Sequence, residues 1–150
     1  GLWVIGYGIV QAAAPTLRRS WGQSTAPSVA AVEFWSACLS AIPALIAIAL
    51  WREVGQPGIA VVVGLAAFGV IFAMNSSIHS YMVLAYTDAD SVSLNVGFYY
   101  MANAAGRLLG TVLSGALFLF GGMQACLWAS SLLVAAAWLV STRLPPVRKA

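Results

Sequence analysis

Arg107 stands inside a long apolar run, where an isolated cation is costly. Asn95, Tyr99, Asn103, Arg107 and Thr111 recur at every fourth residue of that run. Four residues slightly exceed one helical turn, so on a helix these side chains form a slowly drifting polar stripe. Ala102, Gly106, Gly110 and Ser114 make a second fourth-residue series, small enough to let a neighbouring helix come close. A guanidinium offers a rigid fork of donors suited to the oxygens of carboxylate, phosphate or arsenate. Asn103, Asn95, Tyr99 and Tyr100 can donate further bonds to such an anion. A second polar set lies upstream, with Asn75 and His79 four apart and Ser76 and Ser80 forming a parallel pair. An imidazole can hold an anion or carry a proton near neutral pH, which makes His79 a candidate for substrate binding and for proton coupling.

Each of these residues also has a plainer use. Arg107 could bridge helices, but no acid lies near it on its own segment, so such a bridge needs carbonyls or an acid from elsewhere. His79 could be a hydrogen-bonded packing residue. Asn75, Ser76 and Ser77 are the types that glue membrane helices together. Tyr99 and Tyr100 point to different faces, so only one of them can line a pathway. Glu33, near one end of its segment, is a gate or a surface residue. A catalytic reading fares worse. His79 and Ser114 could be paired as base and nucleophile, but Val112-Leu113-Ser114-Gly115 lacks the glycine expected two residues before such a serine. There are no paired carboxylates and no Gly-rich phosphate loop, and no metal spacing joins Cys38, Cys126 and the single histidine. The chain reads as a non-enzyme that needs neither cofactor nor metal, with both cysteines as reduced packing residues.

The elements that must position these groups follow from composition. Of 150 residues, 61% are hydrophobic and 7% charged, with mean hydropathy +0.90. A soluble domain carries roughly 25% charged residues. Too little charge is present to cover a water-facing surface, so the main solvent is a lipid bilayer. The net charge of +3 does not point to nucleic acid, because the basic residues sit at segment ends.

The expected architecture is an all-α membrane protein with five transmembrane helices, roughly 1–15, 30–51, 58–86, 91–120 and 126–142, and a cytoplasmic tail 143–150. Pro15 is expected to end the first helix and Pro43 to bend the second. The third is long for a hydrocarbon core of about 30 Å, and is read as one tilted or kinked helix. Gly121-Gly122 turns the chain between the last two. The start enters directly into apolar sequence, and is expected to be an inner cut with at least one helix upstream.

With five alternating helices, Arg18, Arg19, Arg143, Arg148 and Lys149 fall on one side and Arg52 on the other. The positive-inside rule makes the first side cytoplasmic, so the carboxyl terminus is inside. Splitting the third segment would scatter the basic residues over both sides.

Four stretches carry a family resemblance: Gly6-Tyr7-Gly8-Ile9-Val10-Gln11-Ala12, Asn75-Ser76-Ser77-Ile78-His79-Ser80-Tyr81, Asn95-Val96-Gly97-Phe98-Tyr99-Tyr100-Met101-Ala102-Asn103-Ala104 and Gly106-Arg107-Leu108-Leu109-Gly110-Thr111. Through these, nearly the whole chain resembles the ArsJ-type organoarsenical efflux permeases of the major facilitator superfamily. The resemblance implies a fold of twelve helices in two six-helix halves, with this chain corresponding to helices 8–12. Helix 7 and the amino-terminal half would then be the missing partner of these residues. It implies export of 1-arseno-3-phosphoglycerate across a bacterial inner membrane, conferring arsenate resistance, with a functional link to the glyceraldehyde-3-phosphate dehydrogenase that makes this ester. The assignment of Arg107, Asn103, Tyr99, Asn75 and His79 to the small anionic substrate rests on the residues themselves. A permease for another small organic anion or drug is the alternative.

Overall fold

The computed structural model describes residues 2–20, 28–87 and 92–144, and among them every regular element is an α-helix. Four helices follow one another: α1 (Leu2–Ser20), α2 (Val29–Trp51), α3 (Pro57–Ala85) and α4 (Val92–Ser141). Three of them, α2, α3 and α4, are long and apolar enough to cross a membrane.

Local chemistry sets the boundaries. The Ser28 hydroxyl accepts from the Ala31 amide at 3.3 Å and starts α2. Pro57 is the first residue of α3, where a missing N–H costs nothing. Between them, Glu53 (φ 52°) and Gly55 (φ 69°) adopt the left-handed conformation that reverses the chain within a few residues. The third helix is a single element.

One expected boundary moves. Pro15 does not end α1, which continues to Ser20. Proline forfeits one helical hydrogen bond, a loss that long apolar helices tolerate. The last two expected helices are the two arms of α4, which meet at the expected glycine turn, where Gly122 is non-helical (φ 61°, ψ −156°). We refer to its arms as the first (92–121) and the second (123–141). Cys126 Sγ donates to the Ser114 carbonyl at 3.4 Å, so the second arm folds back beside the first.

Cross-helix contacts fix the directions. Ser36 bonds Asn75, and Ile46 faces Gly64, so α2 and α3 are antiparallel. Ser131 donates to the Ser40 carbonyl at 2.7 Å and Gln124 to the Ala47 carbonyl at 3.1 Å. Moving up α2 by two turns thus moves down the second arm by two turns, and these helices are also antiparallel. The α2 helix is central, flanked by α3 and α4, with α1 packed against α3.

The buried cluster is Ala14, Val32, Trp35, Met74, Ile78 and Met82, with Leu144 packed against it. It lies at the end of the bundle where α1 and the second arm finish and α2 begins. Arg18, Arg19 and Arg143 therefore belong to one end and Arg52 to the other. Asp88, Asp90, Arg148 and Lys149 lie outside the described residues.

Candidate functional site

The polar residues of α3 meet those of α2 and α4 in a seam across the helices. Ser36, buried on α2, donates to Asn75 Oδ1 at 3.1 Å. One turn further along α3, His79 Nδ1 lies 3.0 Å from the Asn75 carbonyl. A carbonyl only accepts, so Nδ1–H is the donor in this contact. Ser80 donates to the Ser76 carbonyl at 2.9 Å and lies 3.5 Å from the Tyr99 hydroxyl. Nearer the turn between α3 and α4, Asn95 Nδ2 donates to Thr87 Oγ1 at 3.4 Å. Tyr99 is thus the link between the histidine helix and the arginine helix. Its ring stands edge-on to that of Tyr100, with centroids 5.6 Å apart. Tyr99 is half-buried and Tyr100 exposed, so the two adjacent tyrosines do serve different faces.

Of the five residues expected at the anion, Asn75 and His79 stand one turn apart on α3, and Tyr99 reaches that helix through Ser80. Asn103 and Arg107 continue the stripe but touch neither α3 nor α2. Each four-residue step overshoots a turn by about 40°, so Arg107 is rotated roughly 80° from Tyr99 and lies about 12 Å further along the axis. Tyr99 faces α3, and the drift carries Asn103 and Arg107 onto the uncovered side of the first arm, where residues 101–116 are all exposed. Among the described residues the Arg107 guanidinium meets no partner, while its carbonyl accepts from Thr111 at 2.8 Å. Arg107 stands halfway along its arm, with the apolar side chains of Leu108, Leu109 and Val112 exposed around it.

Part of the small-residue series faces the second arm. Gly110 and Ser114 line a narrow crevice of about 90 Å³ against Cys126, Ala129 and Ser130 of the second arm. A methyl group added at Gly106 or Gly110 would meet nothing within 4 Å, so neither glycine stands at a close helix–helix approach. A close approach between helices occurs at Gly64, where an added Cβ would run into Ile46. Ser36 and Gly64 were not singled out by spacing. A lone serine or glycine in an apolar helix gains meaning only from what the neighbouring helix places opposite.

The alternative nucleophile pair is not assembled. His79 sits one residue from the Ser80–Tyr99 contact, and Ser114 is about 22 Å further along the arm. The Ser114 hydroxyl faces Cys126 Sγ at 4.0 Å instead. Glu33 is half-buried in the first turns of α2. Cys38 and Cys126 are both free thiols. No group of three or more metal-ligating side chains occurs among the described residues.

A second concavity of about 440 Å³ lies away from the seam, between α2 and α3 beside their connecting turn. Aliphatic residues such as Leu45, Ile46, Ile59 and Val63 line it, with Gly55 and Gln56 at its mouth.

All-α architecture, three membrane-length apolar helices and a polar seam define the class as a helical membrane protein. The chain matches no protein-family model, no curated protein and no solved structure.

Proposed function

We propose that this chain is part of a membrane permease for a small organic anion, with the seam and the arginine stripe facing its path. The observation that carries the reading is the Ser80–Tyr99 contact. It ties the helix that carries Asn75 and His79 to the helix that carries Asn103 and Arg107, in a bundle otherwise built for lipid. Polar groups at membrane depth are expensive and concentrate along substrate and ion pathways. Arg107 supplies the charge, Asn103 and Tyr99 add neutral donors, and Asn75 and the imidazole of His79 add further polar groups.

The sequence resemblance to ArsJ-type organoarsenical efflux permeases points to the ligand. We take it to be 1-arseno-3-phosphoglycerate, exported by alternating access in a twelve-helix major facilitator fold. On this reading the two arms of α4 are separate spans, five spans correspond to helices 8–12, and the amino-terminal half covers the exposed face of the first arm. That half would enclose Arg107, which otherwise leaves a cation on a lipid-facing surface. The membrane is the bacterial inner membrane, with the basic ends of α1 and of the second arm in the cytoplasm. Rocking of the two halves about a midplane site would move the anion.

The test is arsenate resistance in a sensitive host, with and without glyceraldehyde-3-phosphate dehydrogenase. Arg107→Ala should abolish resistance while the protein still reaches the membrane. Arg107→Lys should restore it only partly, because an ammonium cannot make the bidentate contact. Full resistance in Arg107→Ala sinks the role. A second reading, export of another phosphorylated or carboxylated metabolite, shares the arginine. It is separated by competition, since ordinary organic phosphates should then block transport of the arseno-ester.

A further inference from the structure

The apolar groove between α2 and α3 lies apart from the polar seam and has its own chemistry. It runs along residues 59–67 of α3, about 12 Å, and opens at the turn through Gly55 and Gln56. The floor is the close approach of Ile46 to Gly64. Both helices are long enough to cross a bilayer, so the turn that joins them stands at headgroup depth.

Three exposed side chains stand at that turn. Trp51 is 71% exposed, at the last position of α2. The Arg52 guanidinium is stacked over its indole, 5.5 Å from the ring centroid. An indole bearing a cation is suited to the membrane–water boundary. Glu53 follows directly, exposed and held at φ 52°, and no ion pair links it to Arg52. A cation and a carboxylate thus follow one another, both exposed, in the turn whose next residues, Val54, Gly55 and Gln56, line the aliphatic groove.

We infer that this groove is a phospholipid site, with one acyl chain along α2 and α3 and a zwitterionic headgroup over Arg52 and Glu53. Arg52 takes the phosphate. Glu53 accepts hydrogen bonds from a primary ammonium, which selects phosphatidylethanolamine. Phosphatidylglycerol brings no cation to Glu53, and the quaternary amine of phosphatidylcholine has no N–H to donate. The site rests on the membrane character of the helices and not on the identity of any transported anion.

The test uses the protein purified from membranes in mild detergent, delipidated and equilibrated with equal amounts of the three lipids carrying matched acyl chains. Native mass spectrometry then counts the bound species. Phosphatidylethanolamine adducts should exceed each of the others by about fivefold, the yield of one exposed charge contact. Ala60→Trp, which fills the groove, should remove adducts of all three lipids while thermal unfolding stays unchanged. Glu53→Lys should shift the preference to phosphatidylglycerol. Equal retention of the three lipids by the unmodified protein overturns the proposal, as does an Ala60→Trp protein that keeps its phosphatidylethanolamine. If Ala60→Trp does not fold, Glu53→Lys decides: an unchanged preference overturns the headgroup assignment and the site with it.

Discussion

Gly64→Ala tests how α2 and α3 are held in register. An alanine Cβ at this position would overlap the Cγ1 and Cδ1 atoms of Ile46, a buried residue. Alanine is favoured over glycine in a helix interior by about 1 kcal/mol. Overpacking a close contact costs about 1–3 kcal/mol. The clash therefore wins, and Gly64→Ala should destabilise by up to about 2 kcal/mol. Ile46→Ala alone should cost about 2–5 kcal/mol through the lost packing. In that background both overlapping atoms are gone, and Gly64→Ala should become stabilising by up to about 1 kcal/mol. The sign reversal is the signature, equivalent to a coupling of about 1–3 kcal/mol between the two positions. Cys38 and Cys126 are free and half-buried, so a thiol-reactive fluorophore reports thermal unfolding in detergent. A Gly64→Ala change that shifts Tm equally in both backgrounds refutes the contact. The same hairpin positions Ser36 against Asn75 ten residues away, so the destabilised variant should also transport less.

Gly122 adopts φ 61° and ψ −156°, a region essentially reserved for glycine, so Gly122→Ala should cost about 1–3 kcal/mol and increase Cys126 labelling as the two arms separate. Ser36→Ala leaves Asn75 Oδ1 without its buried donor; it should lower stability by about 1–3 kcal/mol and raise the transport KM, whereas an unchanged KM would mean that Asn75 faces no substrate. Transport in proteoliposomes should respond to an imposed pH gradient, and His79→Gln should remove that response while leaving gradient-independent flux. Identical flux with and without the gradient in the unmodified protein excludes proton coupling through His79.

The seam gives a physical reason for the different surroundings of the two halves of the polar stripe. Tyr99 is tied to α3, while Arg107 stands on a bare face. A groove packed within the chain would have hidden the arginine, and a stripe without drift would have aimed it at α3. The two-turn displacement instead leaves Arg107 available to whatever covers the first arm.

Much of the architecture was legible in the residues themselves. Low charge and long apolar runs require helices that satisfy their own backbone, because lipid offers no hydrogen bonds. Gly121-Gly122 announced a break through local chemistry that needs no partner, whereas the Ser28 cap and the Pro57 start lay just outside the expected helix bounds. Pro15 misled, because its meaning depends on whether the helix beyond it can continue. The stripe from Asn95 to Thr111 was visible as spacing, since helix geometry converts spacing into a face. Which part of that stripe meets another helix was not visible. That depends on where α3 diverges from α4, and the divergence follows from the packing of α2 between α3 and the second arm. Ser36, Gly64 and the groove beside the Arg52–Glu53 turn share this property. Each exists only because residues far apart in the chain stand opposite one another, and opposition is decided by tertiary packing, which local periodicity does not encode.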